Sequence, residues 1–183
     1  MSLKNIKKYT PGFNIHDIQE KYNLKKVIKL ASNENPFISK DVLSFIKKSN
    51  HQLNLYPDSN PDELHKLLAN TVGHRMTSNN IIIGNGSNEI LEFIVRANVD
   101  NKSEVIIPKH SFLVYEIISK LQNAKIVKTK PDNNKASENY LGINLESVKE
   151  KITKKTNLIF IANPANPTGT YIKLSEIDNF LQS

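Results

Sequence analysis

Short β-branched runs alternate with amphipathic stretches along most of this 183-residue chain. Ile81-Ile82-Ile83, Val105-Ile106-Ile107, Ile126-Val127 and Leu158-Ile159-Phe160-Ile161 show no polar alternation. That pattern predicts strands covered on both faces, the habit of parallel sheets flanked by helices. Between the runs lie stretches of helical period. Residues 61–72 open on Pro61-Asp62-Glu63 and set Leu64, Leu67, Leu68 and Val72 on one face. Residues 87–98 open on Ser87 and align Ile90, Leu91, Ile94 and Val95. Residues 112–121 and 145–152 behave alike, and another helix starts at Ser175 and runs through residue 181. The alternation predicts an α/β fold, a mostly parallel sheet with helices around it.

The N-terminal stretch reads differently. It offers one short helix at residues 14–22 and then an extended piece over residues 27–36. The expected organisation is therefore an N-terminal arm, residues 1–40, and a body, residues 41–183. Residues 131–140, rich in Lys, Asn and Asp, are expected to form the most exposed and mobile connection.

Composition narrows the function classes. Cysteine is absent, which excludes a disulfide framework, a thiolate metal site and a cysteine nucleophile, and no metal is expected. No apolar run approaches the roughly 20 residues of a membrane span, and the lysine-dotted N-terminus lacks a signal peptide's apolar core. The expectation is a cytoplasmic protein without a membrane partner. The net charge of +7 comes from 23 Lys and 2 Arg against 18 acids. The lysines are scattered, in pairs such as Lys7-Lys8, Lys47-Lys48 and Lys154-Lys155, with no clustered basic face. They read as solvated surface, and no nucleic-acid partner is expected.

Three constellations could carry chemistry. Ile83-Gly84-Asn85-Gly86-Ser87-Asn88-Glu89 runs from an apolar segment through a glycine turn into a helix. Free N–H groups and the helix dipole there suit an anion such as phosphate; an ordinary capped helix start is the alternative. The turn is neither a P-loop nor a complete dinucleotide fingerprint. Asn163-Pro164-Ala165-Asn166-Pro167-Thr168-Gly169 follows the most apolar run, where open α/β sheets gather ligands. Its Asn could bond a ring oxygen, or the segment could be a plain Pro/Asn/Gly turn. Ser111-Phe112-Leu113-Val114-Tyr115 follows another run, and its aromatics serve either a flat ring or the core.

In this order these motifs resemble fold-type-I pyridoxal-phosphate enzymes, and among them the histidinol-phosphate aminotransferases. Tyr9-Thr10-Pro11-Gly12, Glu20-Lys21-Tyr22-Asn23-Leu24 and the segment from Val27 to Pro36 look like that family's N-terminal arm. Leu55-Tyr56-Pro57-Asp58 follows where the family has it. The resemblance covers nearly all of this chain and about the first half of a family member. It implies an incomplete pyridoxal-phosphate-transferase large domain with an extended arm. It also implies pyridoxal 5′-phosphate as cofactor and a homodimer in the complete enzyme. The reaction implied is transamination between glutamate and a phosphorylated amino compound, imidazole-acetol phosphate, in histidine biosynthesis. The alternatives are a related phosphothreonine decarboxylase, another aminotransferase of the branch, or a non-catalytic remnant.

By the same resemblance, Gly86, Ser87 and Asn88 would hold the cofactor phosphate. Tyr115 would stack on the pyridine ring, Asn166 would bond the ring hydroxyl oxygen, and Tyr56 would reach the other subunit's phosphate. Tyr9, Asn33 and Asn35 would line the substrate pocket. Asn88 stands where the family usually has an acid, Ala165 where Asn is common, and Asn60-Pro61 where a glycine turn is typical. The Schiff-base lysine and the ring-pairing Asp of the family have no match within residues 1–183, so no catalytic residue is assigned. Residues 81–83 are expected to lie apart from the other runs, because in the family's sheet later strands stand between them.

Overall fold

The computed structural model describes residues 12–49 and 54–183. They fall into two compact units, one in Thr10–Ile81 and one in Ile82–Ser183. In the first unit, helix α1 (Ile15–Tyr22) starts where Asn14 accepts a hydrogen bond from the His16 N–H, and ends at Asn23 in the left-handed conformation. Residues 25–39 hold neither helix nor strand, and the piece read as extended, residues 27–36, is broken by a turn in which Ser32 and Asn33 have positive φ. Helix α2 (Lys40–Ser49) was not foreseen; its Val42, Leu43, Phe45 and Ile46 are all exposed. Helix α3 (Asp62–Val72) packs against a 3-10 turn at Ser78–Asn80. Ala69 is the one buried residue among the described residues of this unit. Compactness therefore divides the chain at Ile81, where the sequence pattern divides it at residue 40.

The second unit is built on three parallel strands in the order β2-β1-β3: β1 (Glu104–Pro108), β2 (Lys125–Thr129) and β3 (Thr156–Ile159). Strand β1 is central and buried at every position, with Val105, Ile106 and Ile107 wholly excluded from solvent. Its side chains alternate between two cores, as the period of a strand requires. Val105 and Ile107 join Val95 and Val99 from around α4 (Ser87–Asn98) and Val114 and Ile118 from α5 (Leu113–Leu121). Ile106 joins Ile143, Val148 of α6 (Leu145–Lys149) and Ile172; Ile177 and Phe180 of α7 (Leu174–Gln182) pack against it. Helices thus cover both faces, which explains the unbroken apolar run of β1. At the strands' amino ends, the buried Glu104 carboxylate accepts from Lys125 Nζ at 2.8 Å and Thr153 Oγ1 at 2.7 Å. These bonds, the lysine's first, hold its carboxyl below the usual range.

One expectation needs correction. Ile81, Ile82 and Ile83 form no strand; Ile82 is 69% exposed. An apolar run becomes a strand only when a neighbour takes up its N–H and C=O groups, and none of the three strands pairs with it. Residues 131–140 are exposed in large part, yet their own side chains lace them. Asp132 accepts from the Asn134 N–H, Asn134 from Ala136, Ser137 from Asn139, and Asn139 donates to the Ile143 carbonyl. Helix α6 is also shorter than its pattern suggests, ending at Lys149.

Candidate functional site

Tyr115 and Asn166 follow neighbouring parallel strands, so both lie at the sheet's carboxyl end, where such folds bind ligands. The link from α4 to β1 is short, residues 99–103, and returns the helix's last turn to the amino end of β1. Helix α4 also packs on α5 and β3. At about 1.5 Å per residue, its length brings its N-terminus back to the carboxyl end.

That N-terminus has an unusual entry. Gly86 is the N-cap residue, with φ +85° and ψ 165°, a conformation glycine adopts without strain and other residues do not. It has no side chain to cap the helix, and among the described residues the first-turn N–H groups of Ser87, Asn88 and Glu89 have no side-chain partner. The Asn85 N–H donates to Glu89 Oε2 at 2.6 Å, and the Gly86 N–H donates to the Gly84 carbonyl at 2.9 Å. Gly86, Ser87 and Asn88 are exposed. The arrangement presents a positive helix end to solvent, which suits an anion.

Asn166 sits in a loop closed at its neck. The Asn163 amide pairs with both backbone groups of Ile172, accepting its N–H at 2.8 Å and donating to its carbonyl at 2.9 Å. Inside the neck, Ala165 N–H donates to Thr170 O and Gly169 N–H to Ala165 O, each at 2.7 Å. Ala165 is buried, so the position where the family commonly has Asn here serves packing. Asn166 is half-buried, and its amide has no protein partner among the described residues.

The Tyr115 ring is part of the core edge. It stacks on Phe160 with centroids 4.4 Å apart and planes within 6°, and meets Phe112 edge-on at 5.8 Å. Burial raises the pKa of its phenol. Phe160 occupies one face of the ring, so a bound flat ligand can meet only the other. The two readings of this aromatic, core and ring-stacking, are therefore compatible on opposite faces.

Of the remaining expected residues, Tyr56, Asn33 and Asn35 lie in the first unit. Tyr56 is fully exposed. Asn33 has a left-handed backbone, and Asn35 accepts from the Phe37 N–H at 3.0 Å in a tight turn before the extended segment goes on. Tyr9 lies outside the described residues. The sequence reading gave no role to Glu89 or Asn163. Glu89 carried a signal, an acid at the third helical position, where a side chain can reach back to the preceding turn. Among the described residues there is no metal-binding cluster and no helix long and apolar enough to cross a membrane.

Comparison with known proteins places these features. The sequence model of the aminotransferase class I and II family matches residues 25–183. Histidinol-phosphate aminotransferase 2 of Carboxydothermus hydrogenoformans is 36% identical over 184 residues, 99% of this chain and 48% of that protein. Histidinol-phosphate aminotransferase 1 of Idiomarina loihiensis is 37% identical, over 98% of this chain and 47% of its own length. The chain thus spans less than half the length of these relatives. Among solved structures, the histidinol-phosphate aminotransferase of Clostridium acetobutylicum superposes with TM-score 0.68 at 28% identity, covering 83% of this chain and 42% of that one. The Sinorhizobium meliloti enzyme, solved in complex with pyridoxal-5′-phosphate, shares the fold with TM-score 0.75 at 22% identity, over 94% of this chain and 45% of that chain.

Proposed function

Because this chain belongs to the class I and II aminotransferases, we propose that it supplies the cofactor-cradling part of a pyridoxal-phosphate-dependent histidinol-phosphate aminotransferase. The observation that carries the proposal is the start of α4, open at Gly86 and aimed at the sheet's carboxyl end. A phosphate group fits it by charge and by donor set, since among the described residues the N–H groups of Ser87, Asn88 and Glu89 have no side-chain cap. Asn166, whose amide has no protein partner among the described residues, would orient the cofactor ring through its hydroxyl oxygen. Tyr115 supports the ring from the face that Phe160 leaves open. When bound, pyridoxal phosphate supplies an electron sink for a carbanion at the substrate carbon.

In the whole enzyme, a homodimer, Tyr56 reaches the phosphate held by the other subunit, and Tyr9, Asn33 and Asn35 border the substrate. The substrates are glutamate and imidazole-acetol phosphate. No residue of this chain is given the proton-transfer role, because no lysine within it lies in a motif like that of the anchoring lysine. The arm, residues 1–40, and the partial large domain, residues 41–183, are the proposed domains.

The test is a comparison of pyridoxal 5′-phosphate with pyridoxal by calorimetric titration of the chain. Charge-assisted bonds from the α4 N-terminus should make the phosphorylated form bind at least about tenfold more tightly. Equal affinities would remove the phosphate site from the account.

A further inference from the structure

A carboxylate beside an anion site is at first sight misplaced, yet Glu89 lies within the turn that leads to it. Its Oε2 accepts from the Asn85 N–H at 2.6 Å and lies 3.4 Å from the Asn85 side-chain amide nitrogen. The same oxygen lies 2.8 Å from where a Cβ on Gly84 would stand, as does Ile90 Cδ1. A Cβ at position 84 would therefore push aside the carboxylate and the end of Ile90, which fill the space a side chain would take.

The contact is shifted from the usual capping arrangement. In α7 the acid at the third helical position, Glu176, accepts from the N–H of the N-cap residue Lys173 at 3.0 Å. In α4 the corresponding acid reaches one residue further back, because the Gly86 N–H already bonds the Gly84 carbonyl. Two consecutive N–H groups of the turn are thereby occupied from within. Those of Ser87, Asn88 and Glu89, without a partner among the described residues, remain for a ligand.

On the reading that these groups bind the cofactor phosphate, we infer that Glu89 is a positioning residue: its carboxylate fastens Asn85 and so holds the Gly84–Gly86 turn in the shape that presents the α4 N–H groups to phosphate. It does not touch the phosphate with its side chain. Its charge is directed to the Asn85 N–H, and the loss of that bond frees the turn to swing its carbonyls toward the anion.

The experiment follows the amide signals of the ¹⁵N-labelled chain as inorganic phosphate is added, for wild type, Glu89→Gln, Glu89→Ala and Gly84→Ala. In the wild type, the Ser87, Asn88 and Glu89 amides should move saturably. Glu89→Ala, which removes a charge-assisted bond, should weaken phosphate binding about tenfold. Glu89→Gln keeps an acceptor and should recover most of the affinity, which loss of folding could not produce. Gly84→Ala should weaken binding as Glu89→Ala does, by displacing the carboxylate. Unchanged signals from Val105, Ile106 and Ile107 should show that the core stays folded in each variant. Wild-type affinity in Glu89→Ala, or a Gln variant no better than Ala, would overturn the role of Glu89. Absence of any phosphate response in the wild type would overturn the phosphate reading, and this inference with it.

Discussion

In the Ile82–Ser183 unit, Val105, Ile106 and Ile107 are 0% exposed and lie between two helical layers. In the Thr10–Ile81 unit, Leu30 is 90%, Phe37 84% and Phe45 69% exposed, and Ala69 alone is buried among the described residues. Both stretches are rich in apolar side chains, but only one encloses them. Apolar surface is stabilising in proportion to the area removed from water, so the stability of the chain rests on the strand-centred unit. The exposed side chains of the first unit form the kind of surface that marks contact with something else. The same contrast bears on the loops at the carboxyl end of the sheet. Asn163 holds backbone in a loop that runs from β3 to α7, while Glu89 holds a turn that a helix, α4, anchors at one end.

The contrast breaks most visibly by truncating one residue in each unit. Ile106→Ala removes a wholly buried side chain and should cost about 2–5 kcal/mol. Leu30→Ala should stay within about 0.5 kcal/mol. Urea melts of the two variants check this; similar losses would mean that the first unit buries more than its structure shows.

A smaller effect is expected at the loop neck. Asn163→Ala deletes both bonds to Ile172, each contributing on the order of 1 kcal/mol. Hydrogen exchange at the Ile172 amide should accelerate, while the β1 amides keep their protection.

The smallest effect is electrostatic. Glu116 on α5 is paired with Lys120 at 2.6 Å and Lys128 of β2 at 2.8 Å. These hydrogen bonds, Lys120's first, lower its pKa from 4.5 to about 2. A carboxyl depressed on folding contributes stability that is full above its unfolded pKa and is lost as pH falls through the folded one. The contribution should therefore fade between about pH 4.5 and pH 2, by no more than about 1 kcal/mol for a partly solvated pair. Glu116→Gln should flatten that part of the stability–pH curve.

The sequence made the second unit legible because its signals are local. Ser87 and the stripe Ile90, Leu91, Ile94 and Val95 locate α4, and the unpolar runs at 105–107 and 158–161 locate β1 and β3. What it could not convey depends on partners far along the chain. Ile81, Ile82 and Ile83 have a strand's composition but no neighbour to complete a ladder. Helix α2 has a cap residue in Ser39, whose Oγ accepts from the Val42 N–H at 3.5 Å, but its apolar residues follow an extended segment and hide its start. The stacking of Tyr115 on Phe160 joins the end of one strand to a helix that follows another, and no spacing rule announces it. For the candidate site, the motifs disclosed the loops, and only the fold disclosed the side chains that pin them.

The central claim is that these pinned loops at the sheet's carboxyl end form a ready-made cradle for pyridoxal phosphate. Its most direct test is a residue-resolved amide map of the ¹⁵N-labelled chain during titration with pyridoxal 5′-phosphate. The account predicts that Ser87 and Asn88 shift together with residues 163–170 along a single saturation curve. Shifts scattered over lysine-bearing surface, with those two loops stationary, would contradict it.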